Sequence, residues 1–159
     1  MLQKCNLFYV CREIKMGKSL KNAKNYCEEH KYRFTEPRKR VLRTLLNCKK
    51  PMGAYEILKV LSTEQHQVKP ATIYRAIDFW QEHGFIHKIN SSNSYITCSH
   101  GHSHDHSFIA ICDWCSESFE LSADGLPAIV TQALQENHFL LNQSATELHG
   151  KCKQCKGNS

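Results

Sequence analysis

The 159-residue sequence has no apolar run approaching the roughly 18 to 20 residues needed to cross a bilayer. Its first stretch, Met1 to Lys15, holds only the short apolar piece Leu7-Phe8-Tyr9-Val10, with no small-residue cleavage site behind it. The expectation is therefore a protein that is neither embedded in a membrane nor exported, and that works in the cytoplasm. Acidic residues are scarce in one half and basic residues in the other. Up to Cys98 there are 18 Lys and Arg against 8 Asp and Glu; from Ser99 onward 3 stand against 7, an asymmetry that the net charge of +6 conceals. A basic first half argues for contact with a polyanion and an acidic second half for a separate task. With 41% hydrophobic residues the chain has enough material for a packed core, which excludes disorder throughout.

Cysteine, by contrast, is abundant. Nine cysteines without an export signal do not read as a disulfide framework, because the cytosol keeps thiols reduced, and metal ligation is the better expectation.

Between Lys18 and Gly84 apolar residues recur at helical spacing in four segments separated by breakers. The first carries Leu20, Ala23 and Cys27. The second starts near Pro37 with Val41, Leu42, Leu45 and Leu46, and the third follows Pro51-Met52-Gly53 with Ile57, Leu58 and Leu61. Pro70 opens the fourth, where Ile73, Ala76, Ile77 and Trp80 form one face and Gly84 ends it. The period then changes: Phe85–Ile89 and Tyr95–Cys98 are β-prone runs around the turn composition Asn90-Ser91-Ser92-Asn93-Ser94, which predicts a hairpin. Short helices followed by such a wing are a common means of placing a helix in the major groove. The His-rich stretch 99–107 reads as a linker. Beyond it, Phe108–Cys112 and Ser118–Leu121 predict paired strands, Leu126, Ile129, Val130, Ala133 and Leu134 an amphipathic helix, and His138–His149 a third strand.

The fold expected is thus α+β: an N-terminal extension over 1–15, a winged-helix DNA-binding domain over 16–98, a linker over 99–107, and a small α/β dimerisation domain over 108–159. About fifty residues make a thin core, so dimerisation and a structural metal are both expected to support the second domain.

Two constellations carry chemistry. Cys112-x-x-Cys115 and Cys152-x-x-Cys155 let four thiolates surround Zn²⁺ tetrahedrally with no open position, as in a structural site. Neither pair sits at the strand-to-helix junction of a thioredoxin-like unit, so redox chemistry is not expected. The second set is His87 and Cys98 from the wing, the run His100-x-His102-x-His104-Asp105-His106, and Glu120. Mixed sulfur, nitrogen and carboxylate donors suit Zn²⁺, and the thiolate disfavours oxygen-loving cations. Thiol and imidazole must lose their protons to bind, so zinc affinity is expected to fall below about pH 6.5. Cys27 and Cys48 read as small core residues. On the fourth helix, Thr72, Tyr74 and Arg75 lie away from the core face, where Arg can bind guanine bidentately; Lys69 and the helix N-terminus suit phosphates, and Arg33, Arg38, Lys39 and Arg40 can reach the backbone or a minor groove.

With these residues in hand the chain resembles the ferric uptake regulator (Fur) family, and within it the zinc uptake regulators (Zur). The marks run from about Met16 to Cys155: Arg33-Phe-Thr35-Glu-Pro-Arg38, Ala54-Tyr-Glu56-Ile, Pro70-Ala-Thr-Ile-Tyr-Arg-Ala-Ile77, Gly84-Phe-Ile-His-Lys88, Asn93-Ser-Tyr-Ile-Thr-Cys98, Ile111-Cys-Asp-Trp-Cys115 and His149-Gly-Lys-Cys-Lys-Gln-Cys155. The resemblance implies a homodimer paired through its second domains, binding palindromic operator DNA when zinc-loaded and repressing zinc-uptake genes. It implies two zinc ions per subunit: a structural one on Cys112, Cys115, Cys152 and Cys155, and a regulatory one on His87, Cys98, Glu120 and a linker histidine, His104 or, as the alternative, His106. His138 falls where some iron-sensing relatives have a ligand for an additional site, which it could build here with Asp105; the resemblance leaves open whether that site exists. No small-molecule substrate and no enzymatic activity are implied. The rival reading is an iron or peroxide sensor of the same family, against which Cys98 speaks. A zinc hydrolase would leave the CxxC pairs and the basic half without a role, and a passive zinc store would leave the recognition helix without one.

Overall fold

The computed structural model describes residues 13–48, 50–63, 67–98, 107–121, 127–140 and 145–156. Helix α1 spans Glu13–Glu29, α2 Glu36–Leu46, α3 Ala54–Leu61 and α4 Pro70–Glu82. The four expected helices are present, but α1 begins upstream of Met16. Residues 13–15 contain no breaker and continue the helix. Proline stands in the first turn of α2 and of α4, where its missing N–H is not needed.

One element was not foreseen. Strand β1, only Met52–Gly53, pairs antiparallel with β3 (Ser94–Thr97), which in turn pairs with β2 (Ile86–Ile89), giving a three-stranded sheet. Two residues are too few to show a strand period. Gly53 also serves as the N-cap of α3, its amide donating to the Glu56 carboxylate at 2.8 Å. The core gathers one face of each helix: Ala23, Cys27, Val41, Leu42, Leu45, Ile57, Ile73, Ile77 and Trp80 are at most 2% exposed. Cys27 lies in that cluster and Cys48 packs against it, as expected of small apolar side chains.

Alternation assigns the faces of the wing. Ile86 and Tyr95 belong to the helical core, so His87 and Ile89, with their partners Ile96 and Ser94, point to the opposite face, toward the second domain. There β4 (Phe108–Cys112) is central, with β5 (Ser118–Leu121) antiparallel on one side and β6 (Thr146–Gly150) parallel on the other. Helix α5 spans Ala128–Glu136 and a short α6 Lys153–Lys156. The third strand is therefore shorter than the expected 138–149. After α5 the Asn137 amide group caps the Ala133 carbonyl at 2.8 Å, and His138 takes a left-handed φ of 51°, so the chain turns before it can extend. Leu126 lies outside the described residues. Among the described residues no helix is long and apolar enough to cross a membrane.

Candidate metal centres and nucleic-acid interface

The sheet topology creates the four-cysteine cluster. Because β6 runs parallel to β4 in register, with Cys112 opposite Gly150, the end of one strand delivers Cys112 and Cys115 and the end of the other delivers Cys152 and Cys155. One turn of α6 folds Cys155 back over Cys152. The four sulfurs lie within 4.8 Å of one another, with Cys115 and Cys152 at 3.7 Å. Hydrogen bonding from the Cys152 amide, 3.3 Å from the Cys112 sulfur, and from the backbone of Cys115 lowers the Cys112 thiol to about 6. Cys155, facing Cys152 first and then burial and the remaining sulfurs, is raised to about 12. Four thiolates this close cannot all ionise beside one another without a cation among them, and a cation such as Zn²⁺ fits that donor set.

The second cluster sits where the wing meets the second domain. His87 Nε2 is 3.0 Å from Glu120 Oε1, the Cys98 sulfur 3.7 Å from the same oxygen, and the three donors lie within 4.8 Å of one another. Ser107, buried at the edge of the linker, donates to Glu120 Oε1 at 2.9 Å. Burial alone would lower the His87 ring, but its hydrogen bonds to Cys98 and Glu120 prevail and raise it to about 9. Soft sulfur, imidazole and a carboxylate from two domains form an incomplete tetrahedral set that suits Zn²⁺ with one further donor. Both histidines proposed for that place, His104 and His106, lie outside the described residues, as do His100, His102 and Asp105. His138 belongs to neither donor group found among the described residues.

On the helical domain the structure brings four of the DNA candidates, Arg33, Arg38, Thr72 and Arg75, to one cleft. Lys31, Tyr32, Arg33, Arg38, Thr72 and Arg75 line it, and Lys69 lines a neighbouring hollow with Thr72 and Arg40. Tyr74 is 42% exposed beside Pro70 and Tyr55. Two of the expected backbone-reaching arginines are also committed within the domain. The Arg38 guanidinium stacks 3.4 Å from the Phe79 ring centroid and donates to the Arg33 carbonyl, while Arg40 donates to the Leu61 carbonyl at 2.7 Å. Arg33, Arg75 and Lys69 are exposed on this surface.

Sequence reasoning overlooked three residues. Ser107 was counted with the linker. Tyr55, 73% exposed, stood inside the quoted Ala54-Tyr-Glu56-Ile motif and received no role. Glu147 of β6 accepts the wing-tip amides of Asn90 at 2.6 Å and Ser91 at 3.3 Å, a pairing of residues 57 and 56 positions apart that no local pattern announces.

The profile of the Ferric uptake regulator family matches residues 29–149. The zinc uptake regulation protein of Escherichia coli (strain K12) is 36% identical over 137 residues, which cover 86% of this chain and 80% of that protein. A solved zinc uptake regulator in complex with zinc and DNA aligns over 90% of this chain and 96% of that one, with 34% identity and a TM-score of 0.80. Holo XcZur covers 88% and 98%, with 30% identity and a TM-score of 0.74; against apo XcZur, at 29% identity, the score is 0.52. With a profile spanning most of the sequence and a relative this similar along most of both chains, the chain belongs to the ferric uptake regulator family.

Proposed function

We propose that the chain is a zinc-responsive transcriptional repressor of zinc-uptake genes that binds operator DNA as a zinc-loaded homodimer. The observation carrying this reading is the His87, Cys98 and Glu120 cluster, a thiol-containing donor set that straddles the DNA-binding wing and the second domain. The likeness to a zinc- and DNA-bound regulator, and the weaker likeness to a metal-free one, support it. Phe119 and Leu148 on the second sheet, and Ile129 and Val130 on α5, are exposed apolar residues that a second copy would cover.

In this reading zinc supplies a fixed cross-link at each cluster. His87 and Cys98 hold the wing, Glu120 holds the sheet, and Ser107 aims the Glu120 carboxylate. Joining these residues restricts the angle between domains, so that the two recognition helices of a dimer meet successive major grooves. Thr72, Tyr74 and Arg75 then face the bases, with Lys69 and Arg33 at phosphates. A coupling of about 1 to 3 kcal/mol corresponds to a 5- to 150-fold gain in DNA affinity.

The deciding experiment is binding to a duplex selected by the zinc-loaded protein from a random pool, at fixed salt and buffered free zinc, for wild type and Cys98→Ser. The variant is expected to keep one zinc per subunit and lose the zinc response. An unchanged response, or activation by iron or manganese alone, would sink the reading and favour the iron or peroxide sensor.

The pH dependence follows from the joint itself. His87 keeps its proton to about pH 9 in the folded chain against an ordinary 6.5. In the metal-free protein that proton contributes stability that is complete below about pH 6.5 and lost as pH rises through about 9. The same nitrogen and the Cys98 thiol must both be bare to ligate, so zinc affinity at this site is expected to rise at least tenfold per pH unit below about pH 9. The window thus lies higher than the sequence suggested. Calorimetric titration at pH 7.5 in buffers of different ionisation heat should show at least one proton released per zinc at this site; no release would remove His87 from the ligand set.

A further inference from the structure

The second sheet carries one row of side chains that the proposed metal site uses only in part. In the strand register Glu120 of β5 and Glu147 of β6 both lie opposite Ile109 of β4. Residues opposite one another share a face, so the row reads carboxylate, isoleucine, carboxylate. The wing matches it in order and in length. His87 meets Glu120 at 3.0 Å, and the amides of Asn90 and Ser91 meet Glu147 at 2.6 and 3.3 Å. From His87 to Asn90 is three residues of strand, about 10 Å, and from β5 to β6 is two interstrand spacings, also about 10 Å. Between these ends Ile89 shares the His87 face of the wing, and Ile109 occupies the middle of the row. Both are 0% exposed, and neither belongs to the helical core cluster.

We infer that β2 lies across this row, and that Glu147 is a second, metal-independent positioning residue that fixes the wing to the second domain at its tip. A single attachment at the metal cluster would leave the domains free to swivel; two attachments separated by about 10 Å, with two buried isoleucines between them, define one orientation. The wing tip presents consecutive backbone N–H groups, a natural anion seat, and the protein fills it with its own carboxylate. Glu147 is itself braced: His149 Nε2 lies 3.6 Å from it, and His149 Nδ1 lies 2.9 Å from the Asp113 carboxylate in the loop of the first CxxC pair. The wing tip is thereby tied to the four-cysteine cluster as well as to the junction cluster.

The DNA part of the test rests on the function proposed above; the exchange part does not. Amide exchange by NMR on the zinc-loaded protein should show Asn90 and Ser91 protected in wild type. In Glu147→Ala both should exchange at least tenfold faster, with the Ile86–Ile89 ladder unchanged. The same variant should keep wild-type zinc stoichiometry while its zinc-dependent affinity for the selected duplex falls on the order of tenfold, the effect expected of hydrogen bonds to a charged group. Glu147→Gln, which keeps an acceptor oxygen without the charge, should fall between the two. Wild-type exchange and affinity in Glu147→Ala overturn the inference. If Glu147→Ala also loses protection in β4, Glu147→Gln decides: intermediate exchange at Asn90 and Ser91 supports the latch and native exchange overturns it. If wild type ignores zinc altogether, the functional reading fails while the exchange result still judges Glu147.

Discussion

Replacing Cys152 by serine is expected to leave the second domain unfolded while the first stays folded. Among the described residues of the second domain, Ile109 and Cys112 are the buried apolar side chains, whereas the helical domain buries a continuous cluster. Burial at about 25 cal/mol per Å² of so little apolar surface does not offset the chain entropy of ordering β4, β5 and β6. Structural zinc sites contribute about 10 to 16 kcal/mol of apparent folding free energy, as much as the whole stability of a typical domain. Serine keeps the volume of Cys152 but is a poor zinc ligand, and it withdraws one of four donors from a site whose remaining sulfurs hold each other poorly when ionised. Three readouts check this. Zinc content should fall by at least one ion per subunit relative to wild type, the amides of β4 and β6 should lose exchange protection, and dimers should dissociate on size-exclusion chromatography. The α2 and α4 amides should remain protected, since their core owes nothing to the metal. A Cys152→Ser protein that stays dimeric with β4 protected would show that the four cysteines are not a structural site.

How much of this was legible in the sequence depended on the range of the signal. The helices were readable because Val41, Leu42 and Leu45, or Ile73, Ala76, Ile77 and Trp80, repeat at helical spacing and are buried together. The CxxC pairs were readable because their spacing is itself the chemistry, and register then brought them together. Cys98 and His87 could be grouped with Glu120, 22 and 33 positions away, only because the donor types matched a metal, and the fold brings the three side chains together. Glu147 escaped because a carboxylate receiving backbone amides needs no complementary side chain, and amides have no sequence. The third strand was drawn too long because Phe139, Leu140 and Leu141 look β-prone, while the turn at His138 depends on a cap made by Asn137. Strand β1 was invisible for the opposite reason, being set by the docking of Met52 and Gly53 against Tyr95 and Ser94 rather than by any pattern of its own.

Substituting Trp80 by alanine is expected to destabilise the helical domain by about 3 to 5 kcal/mol, the range for deleting a large buried aromatic. Trp80 is 0% exposed and packs edge to face on Phe79, Phe34 and Phe85. Its indole nitrogen donates to the Arg38 carbonyl at 2.8 Å, which ties α4 to α2. That bond places the functional surface as well as the core. Arg38 stacks on Phe79 and lines the cleft that holds Thr72 and Arg75, so loosening Trp80 releases both walls of the proposed DNA face together. Trp80→Phe, which keeps an aromatic ring and removes the donor, leaves the Arg38 carbonyl without that partner and is expected to cost less, about 1 to 3 kcal/mol. Denaturant unfolding followed at α2 and α4 would measure both. Zinc retention at the proposed four-cysteine site should be unchanged in Trp80→Ala, because the first domain draws its stability from apolar packing and the second, in the proposed reading, from thiolate ligation. If Trp80→Ala instead released that zinc at the same denaturant concentration that unfolds α4, the domains would be one cooperative unit. The wing would then be carrying stability between them, not only orientation.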